Sequence, residues 1–180
     1  MIRTIALPDI PFPQFVRPAL AVFWLLVSAA FATAGDLPLI STNTLNGTAV
    51  SLPADLPASR TLVLLAFHHA DQAQLARWET GMALQPTQDD WLEIPVVSIS
   101  NPVIRSMILA GMRGKHHGVA ERNHIAPVFG NSPGVAHAFG VTGTQIAAIV
   151  IDHQGRAIAH VEGDFDQAKA QILRSAMTGR

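Results

Sequence analysis

The chain has 180 residues, 49% of them apolar and 14% charged, with a formal net charge of −1. That composition suits one packed domain and supplies no concentrated basic face for nucleic acid. There are no tyrosines, three tryptophans and no cysteines. Zero cysteines exclude disulfides, thiolate metal sites and thiol redox catalysis, and leave the compartment open.

Met1–Ala34 carries Arg3 and Arg17, then an uncharged run, Pro18–Ala34, that closes on Ala32-Thr33-Ala34. A basic start, an apolar middle and a small-residue end predict an export signal cleaved after Ala34. The alternative is an uncleaved anchor, for which the run sits at the short end of a bilayer span. In either case the leading arginines place residues 35–180 outside the cytoplasm: periplasmic or secreted, or anchored and facing outward.

Residues 35–47 have turn formers and no period, and read as an extended lead-in to a domain over 48–180. Thr48–Leu52 alternates and predicts a short strand. Thr61–Phe67 is apolar without a polar break after its threonine, the pattern of a strand buried on both faces. Asp71 with Gln74 is a capping-box pattern for the helix that follows, and Leu75, Trp78 and Met82 fall on one face of it. Ile94–Ile99 is a second apolar strand. Asn101-Pro102 opens a second helix, with Ile104, Met107, Ile108 and Gly111 as its expected inner stripe.

Lys115–Asn123 reads as a polar loop. His124–Phe129 is a third strand, placed at an edge by Pro127. Ser132-Pro133 predicts a short helix with Val135, Ala136 and Phe139 inward, stopping at Gly140. Gln145–Ile151 and Arg156–Val161 flank the turn Asp152-His153-Gln154-Gly155 and form a hairpin. Asp164 with Gln167 opens the last helix, with Phe165, Ala168, Ile172 and Ala176 expected inward. Parallel strands need helical crossovers and the terminal hairpin only a turn, so the class is α/β: a mixed central sheet in a three-layer sandwich, with a C-terminal antiparallel hairpin and a closing helix.

That order, with LVLLAFHH, GVTGTQIAAIVIDHQGRAI and the closing helix, resembles the thioredoxin-like superfamily over about residues 45–177. Trp78, the Gly111-Met112-Arg113 helix end and the Val150–Arg156 hairpin resemble a cysteine-less branch, the mitochondrial ATP-synthase assembly chaperones and their bacterial relatives. The resemblance implies a folding or assembly helper rather than an oxidoreductase. In the superfamily the strand–helix junction carries the reactive cysteines. Here Gln72 and Leu75 stand where a cysteine pair would sit, and Ile146 stands where a cis-proline would precede the next strand.

Two groups of residues stand out for chemistry. His68 and His69, with Gln72 and Ile146, mark a pocket at the end of the central strand, where open α/β sheets bind ligands. One reading is a small polar or anionic pocket or a single metal-ligating imidazole; the other is one histidine hydrogen-bonded in the core and its neighbour in water. Neighbours on a strand face opposite ways, which argues against both ligating one ion. Arg105, Arg113, Lys115, His116, His117 and Arg122, near His124, form a local basic cluster. It reads as a dock for an acidic partner or anionic headgroups, or as a solvated loop. The eight histidines show no HxH or HxxxH spacing, so no metal site and no cofactor are expected.

No catalytic residue is expected. The leading reading is an exported, non-catalytic thioredoxin-like protein that binds a protein partner in an envelope or membrane complex. Membrane contact would come only through an uncleaved N-terminus. The alternatives are a histidine-based metal or small-ligand binder, and a peroxiredoxin-like assignment that would have no thiol behind it.

Overall fold

The computed structural model describes Leu37 and residues 39–179; the export-signal reading of Met1–Ala34 lies outside them. Within the stretch read as an extended lead-in, β1 (Ile40–Asn43) pairs antiparallel with β2 (Ala49–Leu52). The turn between them carries Asn46-Gly47, a hairpin signal, with Gly47 at φ 87°. Leu37 anchors the segment by donating its N–H to Gly155 O at 3.1 Å.

The apolar run becomes β3 (Arg60–Ala66), and α1 (Gln72–Met82) carries the chain over to β4 (Trp91–Val97), parallel to β3. β4 thus begins three residues earlier than its apolar stretch suggests and takes Glu93 into the sheet. Next come α2 (Pro102–Lys115), the one-turn α3 (Val119–Asn123), β5 (Val128–Phe129) and α4 (Ser132–Ala138). The polar loop therefore holds a helical turn, and the third strand shrinks to two residues at the sheet edge. The hairpin is β6 (Ala147–Asp152) and β7 (Ala157–Glu162), followed by α5 (Gln167–Thr178).

The sheet order is β5-β4-β3-β6-β7, with β3 in the middle and antiparallel to β6. Alternate β3 residues feed two cores, as the strand period requires. Val63 and Leu65 pack with Leu92, Ile94, Ile149 and Phe139 on one face. Leu62 and Leu64 pack with Leu75, Trp78, Val150 and Leu173 on the other. Trp78 is fully buried, donates its indole N–H to Gly163 O at 3.1 Å and meets the Phe165 ring edge-on at 5.2 Å. This is the thioredoxin-like three-layer α/β sandwich.

Several local expectations shift by a residue or two. The α4 cap is Asn131, whose side chain accepts from Gly134 N at 3.0 Å, and not Ser132. The α5 cap is Asp166, accepting from Lys169 N at 2.8 Å, and not Asp164. Of the four residues expected inward, Phe165 and Ala176 pack against the core, whereas Ala168 and Ile172 are exposed and Ala170 and Leu173 are the buried ones. On α2, Asn101 caps as expected, accepting from Val103 N at 2.9 Å and Ile104 N at 3.3 Å. The inner stripe is rotated, however. Ile108, Leu109 and Met112 are partly covered, whereas Val103, Ile104 and Met107 are 67%, 43% and 69% exposed, and no α2 residue is fully buried.

Candidate functional site

The site lies where β3 ends and α1 begins. After Ala66 the chain leaves the sheet, and the Asp71 carboxylate accepts the N–H groups of Phe67 at 3.1 Å and His68 at 2.9 Å. His69–Asp71 forms a single 3-10 turn, from which α1 starts at Gln72. Asp71 therefore serves the turn behind it and makes no side-chain cap to α1. Its expected box partner Gln74 has a buried Oε1 without a hydrogen bond. A short polar side chain commonly bonds its local backbone, and here the preceding N–H groups win that competition.

Next to this turn is a cavity of about 320 Å³, between the head of α1, the ends of β3 and β4, and α2. Phe67, Leu75, Ile99, Ile108 and Met112 make most of its wall, and His68, His69 and Gln72 supply the polar part. Both histidines border this one space. They are not spread over opposite faces of a strand, because β3 has ended and the backbone turns tightly at His69. The His68 side chain is 55% exposed, with Nδ1 3.6 Å from Asp71 Oδ2. Among the described residues, no three histidine or carboxylate side chains converge as metal ligands. Gln72 accepts from Lys115 Nζ at 3.2 Å, tying the head of α1 to the end of α2. Ile146 does not reach the cavity. It is 2% exposed and packs in the core with Leu75 and Trp78.

The six basic residues do not form one patch. Arg105 and Arg113 line a cleft on the far side of α2 from the cavity, with β1 and β5. Arg105 lies over the Phe129 ring at 4.8 Å, and Arg113 donates from Nε to Leu45 O at 2.7 Å. Lys115 belongs to the cavity side through Gln72. His116 turns inward and donates from Nδ1 to Glu121 Oε1 at 2.7 Å, which holds the Glu121 carboxyl below its usual range. Arg122 donates to His117 O at 2.9 Å and leaves its Nε buried without a partner. His124 is buried and stacked on Trp91 at 4.3 Å, with its ring nitrogens against Trp91 O at 2.9 Å and Pro86 O at 3.0 Å.

Sequence reasoning passed over one polar group beneath the cavity. Glu93 sits two residues before Pro95 on the same face of β4, is 3% exposed, and hydrogen-bonds Glu79 from α1. Burial, then the neighbouring Glu79 carboxyl, pushes Glu93 up to about 8. Burial also raises Glu79, and nearby His116 opposes that rise. The signal available was a charged residue inside the apolar run WLEIPVV, together with Glu79 one helical turn after Leu75.

No protein-family profile matches the chain, and no curated protein sequence does. Solved structures do match in fold. The thioredoxin domain of a thiol-disulfide oxidoreductase from Bacteroides vulgatus aligns with a TM-score of 0.52 at 14% identity, covering 81% of this chain and 98% of its own. A solution structure from Neisseria meningitidis assigned to the thioredoxins aligns at 0.52 and 18% identity, over 79% of this chain and 89% of its own. A protein from Aquifex aeolicus assigned to electron transfer aligns at 0.56 and 11% identity, over 82% and 95%. At these identities the likeness establishes a thioredoxin-like fold. This chain has that fold without a cysteine.

Proposed function

We propose that this chain is an exported, non-catalytic thioredoxin-like protein that binds a protein partner and acts as an assembly or folding helper. One observation carries the reading: the strand–helix junction that bears the reacting sulfurs in the superfamily is here an open, mainly apolar cavity in a chain with no cysteine. Without a thiol the junction lacks the superfamily's nucleophile and resolving partner, which favours recognition over thiol chemistry. The cavity also continues outward. Ile108 and Met112 border it, and Ile104, one turn earlier on α2, lies on the same helical row beside exposed Val103 and Met107. An apolar strip running from a cavity onto an exposed helix suits an apolar polypeptide segment better than a small polar substrate. The resemblance to ATP-synthase assembly chaperones supports the helper role, and the N-terminal signal pattern supports export to the envelope.

The test is site-specific photo-crosslinking in cells that make the full chain. A crosslinking residue at Met107 or Met112 is expected to trap a discrete protein adduct. Ile108→Asp should abolish the adduct, and a crosslinker at Gln171 on α5 should give none. Equal adduct patterns at Met112 and Gln171 refute the reading.

A second reading, a histidine-based metal or small-ligand binder, is favoured by the convergence of His68 and His69 on one cavity. Calorimetric titration with zinc, copper and haem separates the two, because heat that is lost in His68→Ala/His69→Ala supports the second.

A further inference from the structure

We propose that the cleft on the other side of α2 takes up an extended acidic peptide segment, with one carboxylate at Arg105 and another at Arg113. The cleft measures about 470 Å³ and lies between α2, β1 and β5. Its α2 wall is Arg105, Leu109 and Arg113, a row at four-residue spacing along one helix face. No carboxylate lines it, and neither guanidinium has a carboxylate partner among the described residues.

The two cations are tied to different elements, which favours one ligand shape. Arg113 is tied through Nε to Leu45 O, and Arg105 is seated over the Phe129 ring. Eight residues of helix separate their backbones by about 12 Å. Two arginines rooted that far apart, each tied to a different element, suit two separate carboxylates better than one small anion. An extended chain repeats its same-face side chains four residues apart at about 13 Å, which matches.

The opposite wall offers backbone rather than side-chain faces. Ser41, Thr42, Asn43 and Thr44 all border the cleft, as do Pro127, Val128 and Phe129. Successive strand residues face opposite ways, so a space touched by every one of them is seen along the strand edge. β5 ends the five-stranded sheet and β1 is an edge of its own hairpin. The two segments are joined by Thr42 Oγ1 donating to Pro127 O just before β5, and beyond the end of β1 by Leu45 N donating to Ile125 O at 2.9 Å. Free strand edges recruit extended peptides through main-chain hydrogen bonds, while side-chain contacts set specificity. This surface is distinct from the apolar cavity, and the proposal does not rest on it.

The probe is a fluorescein-labelled peptide, acetyl-Ser-Glu-Val-Thr-Val-Glu-Ser-amide, titrated with the full chain and followed by anisotropy at low salt. A control peptide of the same composition carries its two glutamates adjacent. Saturable binding is expected for the spaced peptide. Arg105→Gln and Arg113→Gln should each weaken it by about tenfold, the worth of one charge-assisted pair. The control should bind more weakly by a similar factor, and the amide exchange of Ser41, Asn43 and Phe129, whose N–H groups face away from the paired strands, should slow. Ile108→Ser, an uncharged change on the cavity side, should leave the affinity unchanged, which separates this test from that of the cavity. If Arg113→Gln unfolds, Arg113→Lys, which keeps the charge but loses the planar fork, and Arg105→Gln decide the matter. Absence of saturation, equal affinity of the two peptides, wild-type affinity in the arginine variants, or displacement by an equal concentration of inorganic phosphate each overturns the proposal.

Discussion

Glu79 of α1 and Glu93 of β4 hydrogen-bond carboxyl to carboxyl across the helix–sheet interface, and the buried member holds its proton up to about pH 8. Two carboxylates that close inside apolar packing do not both ionise, since burial and mutual repulsion both favour the neutral form. The pair lies under the cavity floor, because Leu75 and Pro95, its neighbours on the same faces of α1 and β4, line that cavity.

Stability should therefore fall as pH rises. The raised value of Glu93 means that the folded chain keeps a proton which the unfolded chain releases from about pH 4.5, the ordinary value. The stabilisation is complete below that point and is lost progressively up to about pH 8. Urea unfolding across this window should show a decline on the order of a few kcal/mol. Glu93→Gln keeps the shape and the hydrogen bond to Glu79. It should flatten the decline and leave the variant more stable than wild type at pH 8. An unchanged slope in the variant would show that other groups set the pH dependence.

Asp71→Ala removes the acceptor of two main-chain N–H groups at the end of the central strand. Charge-assisted bonds of this kind predict a loss of about 1–3 kcal/mol, with Asp71→Asn recovering part of it. Hydrogen exchange supplies the specific readout: the amides of Phe67 and His68 should exchange faster in Asp71→Ala while those of β6 keep their protection relative to global stability.

Helix α2 should open at a lower free energy than the sheet. It buries no residue completely, whereas six of the seven residues of β3 are buried. Native-state hydrogen exchange should give α2 amides opening free energies well below those of Val63–Leu65, which should track global unfolding. Equal protection in both would mean that α2 is held more firmly than its packing indicates, and would weaken it as the adaptable wall of two recesses.

Trp78→Phe should cost about 1–3 kcal/mol, from the lost indole volume and from leaving Gly163 O without its donor. The same change should quench little of the Trp91 emission, since Trp91 stacks on His124 at another place. A variant as stable as wild type would mean that Gly163 O finds a replacement donor.

Several features were legible along the chain because their causes are local. The unbroken run of β3 needs burial on both faces wherever it lies. Asn101 followed by Pro102 caps a helix with its own side chain, and Asp152–Gly155 turns the chain by bonds within the turn, Gly155 N donating to Asp152 O at 2.9 Å. Near-equivalent local candidates were resolved only by the fold. Asp164 and Asp166 both suit a cap, and Asn131 and Ser132 do too; the choice depended on where each helix had to start to lay its apolar residues on the sheet.

By itself, the amino-acid order determined a mixed α/β arrangement closed by a hairpin and a helix, and the exclusion of thiol chemistry, since periodicity and the absence of a residue type are properties of the chain alone. Only the tertiary structure decided that Glu93 meets Glu79, that His68 and His69 face one cavity, and that Arg105 and Arg113 part from Lys115 across α2. The physical reason is the same in each case. A side chain's burial and charge environment are set by groups distant in the chain, and the helix face that turns inward is chosen by the surfaces waiting to receive it.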